Sequence, residues 1–157
     1  MAGLPRSDGV VTLRAMRAGD AALLIAARDP EFHRWLGEGT PDPRPTGVIE
    51  VDDHLVGWVD HDDELRPWLS EGQTNVGYHV FEPHRGRGIA ARAVRLLLDL
   101  LRETSTFDEA TFLIDAENDP SLRVARAVGA VERDRFPNQD GRVQVLLAVE
   151  LGASPTS

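Results

Sequence analysis

Cysteine is absent from this 157-residue sequence, which excludes disulfides, thiolate metal sites and a cysteine nucleophile. Basic residues are also scarce, because 17 Lys and Arg stand against 26 Asp and Glu and the formal net charge is −9. This balance argues against nucleic acid as the main partner. No apolar run reaches the length of a membrane span, and the first residues lack the apolar segment of a secretory signal. We therefore expect a cytoplasmic protein that binds neither nucleic acid nor membrane.

The composition that remains is ordinary for a globular chain, with 41% hydrophobic and 27% charged residues. A chain of this length predicts one domain over residues 1–157, with a core at about 11–151. We expect the last residues, ASPTS, to be frayed.

The most strongly patterned stretch is 75–102, which predicts a strand, a glycine-bearing turn and a long helix. Residues 75–81 alternate as a strand does, and Pro83 ends the strand because it cannot donate to a ladder. The helix that follows has one apolar face, made of Ala90, Ala93, Val94, Leu97, Leu98 and Leu101.

The turn between them, Arg85-Gly86-Arg87-Gly88, is suited to binding an anion. The first turn of a helix has backbone N–H groups without partners and lies at the positive end of the helix dipole. Two glycines remove side chains that would keep a phosphate away, and two arginines add positive charge. The turn therefore predicts a phosphate site, and the alternative is a glycine-rich helix start that binds nothing.

The rest of the chain predicts the order β-α-α-β-β-β-α-β-α-β-β. Asp20 and Asp119 are each predicted to cap a helix, and 52–54 is predicted to join two strands in a hairpin. The predicted elements outside the central stretch are strands at 10–16, 48–51, 55–61, 110–116, 131–136 and 143–151, and helices at 20–27, 31–36 and 119–128.

This order and two motifs resemble the GNAT superfamily of acyl-CoA-dependent N-acetyltransferases. Residues 85–90, RGRGIA, are similar to the family's Q/R-x-x-G-x-G/A pyrophosphate loop. Residues 118–121, NDPS, with a glycine at 129, resemble its N-x-x-S motif. Asp29-Pro30-Glu31 with Trp35, and Gly77-Tyr78, are similar to the branch that acetylates amino termini of ribosomal proteins.

The resemblance implies an α/β (α+β) fold with a mixed, mostly antiparallel splayed sheet flanked by helices. It implies an enzyme that transfers an acetyl group from acetyl-CoA (coenzyme A) to a primary amine of a protein amino terminus or small molecule, by direct attack on the thioester. The main chain around Tyr78 to Val80 would hold the pantetheine, and Asn118 and Ser121 would face the cofactor, with Ser121 near the sulfur. The cofactor-binding residues implied in this way are Tyr78, Val80, Arg85, Gly86, Arg87, Gly88, Ile89, Ala90, Asn118 and Ser121.

The acid and base are harder to assign, because the chain has no tyrosine downstream of Asn118 to serve as an acid. Ser121 is the candidate for assisting the thiolate, and Glu50 and His79, and with less support His61, are candidates for a base that acts through water. For each candidate base, the alternative is that it is an ordinary strand residue without a catalytic role. Without a strong base, the site suits an α-amine better than a lysine, because the α-amine loses its proton more easily.

Other interpretations of the sequence remain open. The main alternative is a non-catalytic acyl-CoA-binding or protein-interaction domain of the same fold. Residues 86–91 also fit a dinucleotide fingerprint, although the βαβ run that it requires is missing. His54, His61 and His79 do not have the spacing of a metal site, so none is predicted. A homodimer is left open.

Overall fold

The structure is a computed structural model and describes residues 2–152. The ASPTS tail, predicted to be frayed, lies outside these residues. The strands are β1 Arg6–Ser7, β2 Thr12–Arg14, β3 Gly47–Val51, β4 His54–Asp62, β5 Gln73–Val80, β6 Glu109–Asp115, β7 Val131–Pro137 and β8 Val143–Glu150. The helices are α1 Asp20–Ala26, α2 Pro30–Leu36, α3 Ile89–Thr104 and α4 Asp119–Ala127, with a single 3₁₀ turn at Glu82–His84.

The strands form one sheet in the order β1-β2-β3-β4-β5-β6-β8-β7. β5 and β6 are parallel and pair over Gln73–Asn75 and Glu109–Thr111. The pairs β1–β2, β2–β3, β3–β4, β6–β8 and β7–β8 are antiparallel. This arrangement confirms the predicted fold class, a mixed and mostly antiparallel sheet accompanied by helices.

The hairpin predicted between β3 and β4 is present. Val51 pairs with His54, and the two residues between them have left-handed backbones, with φ of 51° at Asp52 and 64° at Asp53. Asp tolerates this conformation better than most residues, and two consecutive left-handed residues match the twist of a tight hairpin. The turn places β3 and β4 side by side, so that Glu50 and Trp58 lie on neighbouring strands.

Two predicted helix caps are wrong. The N-cap of α1 is Gly19, while Asp20 lies inside the helix and accepts from the N–H of Arg17 at 2.7 Å. The N-cap of α4 is Asn118, whose side chain accepts from the N–H of Ser121 at 3.3 Å. In both places the chain offers two adjacent residues of cap type, and local pattern does not decide between them. The short strand β1 was not predicted, because two residues carry no readable alternation.

The described chain divides into two compact units. The first comprises the chain up to Asp60 together with Tyr78–Leu97, and the second comprises His61–Gly77 and the chain from Leu98. A single domain over the whole chain stays a prediction. The first unit buries Val11, Leu13, Leu24, Phe32, Val48, Ile49, Val56, Val59, Val80, Ile89, Ala93, Val94, Leu96 and Leu97.

The second unit has its own apolar core, in which Phe112, Leu147 and Leu101 are completely buried. Its other buried apolar residues are Leu69, Val76, Leu98, Leu100, Ala110, Ile114, Leu122, Ala125, Ala130, Val145, Ala148 and Leu151. Among residues 2–152, no helix combines the length and the hydropathy that crossing a bilayer demands.

Candidate active site

The turn before α3 has the backbone that an anion site requires. Gly86 and Gly88 both have φ of 75°, a left-handed conformation that favours glycine, and both are exposed. Within the described chain, the amides of residues 86–90 donate to no other backbone or side-chain group. Ile89 is buried and fixes the start of the 16-residue α3 against the first unit's core. The turn therefore presents unpaired N–H groups at the positive end of a long helix dipole.

The two arginines of the turn have different surroundings. Arg87 is exposed, and among the described residues it makes no hydrogen bond or ion pair. Arg85 is half-buried and donates from Nη1 to Asp29 Oδ2 at 2.7 Å, from Nη2 to Asp29 Oδ1 at 3.1 Å and from Nε to the carbonyl of Val80 at 2.9 Å. The guanidinium of Arg87 is therefore available to a ligand, whereas that of Arg85 already binds Asp29 and Val80.

His79 lies at the end of β5 and is almost fully buried, with a relative exposure of 6%. Its ring packs against Phe32 at 4.9 Å, Phe81 at 5.8 Å and Trp58 at 6.1 Å between ring centroids. Burial, and then the positive charge of Arg85, lower the pKa of His79 to about 4. Its imidazole is therefore neutral at physiological pH.

The tautomer of His79 follows from its contact with Arg85. Arg85 Nη2 lies 3.0 Å from His79 Nε2, and a guanidinium can only donate, so Nε2 accepts and the ring proton is on Nδ1. Among the described residues this buried Nδ1 has no hydrogen-bond partner. His79 cannot take up a proton at Nε2 without losing the contact with Arg85.

Glu50, the other predicted base, is bound to an arginine. Arg14 donates from Nε to Glu50 Oε2 at 2.9 Å and from Nη1 to Asp20 Oδ2 at 2.7 Å. The side chains of Arg14 and Asp20 are 9% and 8% exposed, so this network is part of the first unit's interior. The hydrogen bond with Arg14 lowers the pKa of Asp20 below its ordinary value.

Two further predicted site residues, Asn118 and Ser121, belong to the second unit. Asn118 uses its side-chain oxygen to cap α4, which leaves its amide nitrogen for another partner. Ser121 lies in the first turn of α4 and is half-buried. Within the described chain, no group of three or more His, Asp or Glu side chains is placed to hold a metal ion.

The sequence matches the model of the acetyltransferase (GNAT) domain family over residues 11–131. The chain belongs to the GNAT family. This match confirms the predicted family and the predicted enzyme class, an acetyltransferase. No curated protein matches the chain.

Several solved structures resemble this GNAT chain in fold. Mycobacterium smegmatis RimJ in complex with CoA-disulfide is 24% identical and has a TM-score of 0.75, with 95% of this chain and 86% of that chain covered. The ribosomal-protein-S5-alanine acetyltransferase from Vibrio fischeri is 15% identical, with a TM-score of 0.74 and coverage of 94% and 96%. The aminoglycoside acetyltransferase AAC(6')-Ib in complex with coenzyme A is 18% identical, with a TM-score of 0.73 and coverage of 89% and 94%. The predicted likeness to ribosomal-protein acetyltransferases thus extends to the fold.

Sequence reasoning missed the role of Asp29. It was singled out only as part of an Asp-Pro-Glu resemblance, whereas in the structure it caps α2 and binds Arg85. The cap could be read from Asp29 followed by Pro30, which is a frequent helix start. The ion pair could not, because 56 residues separate the two partners.

Proposed function

We propose that this protein transfers an acetyl group from acetyl-CoA to a primary amine, by direct attack of the amine on the thioester. The observation that carries the proposal is the row of unpaired amides at residues 86–90, at the start of the longest helix of a GNAT chain. Such a turn suits a diphosphate, because each N–H can meet a phosphate oxygen without displacing a protein acceptor. The predicted cofactor also agrees with the coenzyme A present in solved structures of the same fold.

The cofactor-binding residues predicted from the sequence are kept as proposals, apart from Arg85, whose role is taken up below. Gly86, Gly88 and the amides that follow them are proposed to hold the diphosphate, with Arg87 adding positive charge. The main chain of Tyr78 is proposed to hold the pantetheine. Val80 is proposed with it, although its carbonyl already accepts from Arg85. Asn118 and Ser121, at the start of α4, are also kept as proposed cofactor residues.

The geometry favours an acceptor that reaches the site as a neutral amine. Of the candidate bases, Glu50 Oε2 already accepts from Arg14 and His79 Nε2 already accepts from Arg85, so both are engaged by arginines. At neutral pH a lysine amine costs roughly 4–5 kcal/mol to deprotonate, whereas an α-amine costs about 1–1.5 kcal/mol. We therefore propose an α-amine, such as that of a protein amino terminus, ahead of a lysine side chain. An aminoglycoside amine is the small-molecule alternative, since AAC(6')-Ib has the same fold.

A thiol-release assay with acetyl-CoA and matched peptides tests this function. One peptide carries a free α-amine and no lysine, and its partner has an acetylated amino terminus and one lysine. We expect thiol release with the first peptide to exceed that with the second, and mass spectrometry to place the acetyl group on the α-amine. Preference for the lysine peptide would contradict the proposed acceptor. If CoA binds but no amine releases thiol, the alternative of a non-catalytic acyl-CoA-binding domain is correct.

The proposed setting is the cytoplasm. The absence of cysteine agrees with a reducing compartment, and the excess of 26 acidic over 17 basic residues disfavours nucleic acid as a partner. A homodimer stays a proposal that sedimentation can test.

A further inference from the structure

The guanidinium of Arg85 is almost fully committed to protein acceptors. It forms a bidentate ion pair with both oxygens of Asp29. It also donates a hydrogen bond from Nε to the carbonyl of Val80 and one from Nη2 to His79 Nε2. A guanidinium has five N–H donors, and these contacts use four of them. A phosphate oxygen would have to displace one of these partners to gain more than a single donor.

The charge of Arg85 is also neutralised locally. Asp29 is ionised at neutral pH, because the hydrogen bonds from Arg85 lower its pKa to about 2. Asp29 is held in place from its other side, where it accepts from the N–H of Phe32 at 3.0 Å as the cap of α2. The two side chains are 29% and 20% exposed, so the pair is partly shielded from water. It offers an approaching phosphate little net positive charge.

We propose that Arg85 is a positioning residue and not a phosphate ligand: together with Asp29 it forms a clamp that ties the glycine-rich turn to the start of α2 and the end of β5. The inference rests on the proposed function, since it states how the turn is held ready for coenzyme A. The phosphates are then met by the amides of residues 86–90 and by Arg87, the arginine of the turn that lacks a protein partner among the described residues.

The clamp and a direct phosphate contact by Arg85 predict opposite effects of Asp29→Asn on coenzyme A binding. If Arg85 binds phosphate, Asp29 competes for it, so Asp29→Asn would strengthen coenzyme A binding. If Arg85 positions the turn, Asp29→Asn weakens binding as much as loss of Arg85 does. Asparagine is as good a helix cap as aspartate, so the substitution removes the charge and keeps the start of α2.

Calorimetric titration with coenzyme A decides between them, using wild type, Asp29→Asn, Arg85→Gln and the double variant. We expect each single substitution to raise the Kd on the order of tenfold, and the double variant to be no weaker than the weaker single variant. Wild-type or tighter binding by Asp29→Asn, or single effects that multiply in the double variant, would overturn the clamp. Asp29→Asn alone decides the question if Arg85→Gln does not fold.

Arg87→Gln is the matched control, because it removes the same charge from the same turn. It is expected to weaken coenzyme A binding and to flatten the dependence of Kd on salt, since it removes an exposed charge that salt screens. The double variant Asp29→Asn/Arg85→Gln, which keeps the net charge of the site unchanged, is expected to leave the salt dependence close to that of wild type. Arg85→Lys supplies a second readout, because lysine keeps the charge but lacks the two-pronged geometry. It should bind as weakly as Arg85→Gln, and recovery of wild-type affinity would contradict the clamp.

The outcomes also separate this inference from the proposed function. If wild type takes up no coenzyme A, the proposed function fails. If wild type binds coenzyme A and Asp29→Asn binds it equally well, the function stands and the clamp is wrong.

Discussion

Acid should destabilise this protein through His79, and the effect can be worked out from its surroundings. His79 is packed among aromatic rings, and three charged groups affect it electrostatically: Arg85, Asp29 and Arg28. Burial is the largest cause that lowers its pKa from 6.5 to about 4, and Arg85 adds to the shift. Asp29 opposes the shift, and its own pKa of about 2 keeps it ionised throughout the pH range considered.

The direction of the pH effect on stability follows from the number of protons that the folded and the unfolded chain bind. Above pH 6.5 both the folded and the unfolded chain keep this imidazole neutral, so its contribution to stability is fully present. Between pH 6.5 and about 4 the unfolded chain binds a proton that the folded chain does not, and stability falls as the pH falls. From pH 8 to pH 5 the loss is about 2 kcal/mol, and it approaches roughly 3 kcal/mol below pH 4.

Urea unfolding at pH 8, 7, 6 and 5 measures the effect in wild type and in His79→Gln, whose amide oxygen can still accept from Arg85. The variant is expected to lose about 2 kcal/mol less than wild type between pH 8 and pH 5. His54→Gln, at the exposed first residue of β4, is the control for a His→Gln substitution outside the aromatic cluster. If wild type and His79→Gln lose the same free energy within about 0.5 kcal/mol, His79 is not held neutral by its surroundings and the reasoning is wrong.

Three other predictions concern the stability of the first unit, and a fourth concerns the acceptor amine. Gly88→Ala should lower the free energy of unfolding by about 1–2 kcal/mol and weaken coenzyme A binding, because φ is 75° at this position. No atom lies within 4 Å of the new Cβ, so the cost comes from the backbone conformation alone. Unchanged urea unfolding would contradict this. Arg14→Leu should destabilise by about 3 kcal/mol in the same assay, since it leaves the buried carboxylate of Asp20 without its partner. Arg44→Leu should cost at most about 0.5 kcal/mol, because its ion pair is exposed, and equal losses for the two arginine variants would refute the argument. Thiol release with an α-amine acceptor should persist at a lower pH than release with a lysine acceptor, and superimposable pH profiles would rule out a choice based on amine pKa.

Local sequence pattern was sufficient for most of the fold. The alternation in 75–81 and the apolar face that begins at Ala90 predicted β5 and α3 to within about two residues, because both elements bury one face against a core. The hairpin at Asp52 was readable for a similar reason, since its turn chemistry is local. The element that escaped, β1, has two residues and is defined by its partner β2 and not by its own pattern.

The candidate site was predictable only in its backbone part. The sequence predicted a glycine-bearing turn before the long helix, and the structure has such a turn, with φ of 75° at both Gly86 and Gly88. The side-chain part depends on contacts between distant segments, and those are invisible in the sequence. The sequence therefore could not show that Arg85 pairs with Asp29, or that His79 accepts a hydrogen bond from Arg85. Whether the predicted cofactor residues bind acetyl-CoA stays a prediction.

The central claim is that the unpaired amides at the start of α3 hold the diphosphate of acetyl-CoA. Backbone amide chemical shifts of residues 86–90, followed by NMR during titration with coenzyme A and separately with pantetheine, test it most directly. We predict that these five amides shift with coenzyme A and move little with pantetheine, which lacks the diphosphate. Shifts elsewhere in the chain, with residues 86–90 unmoved by coenzyme A, would contradict the account.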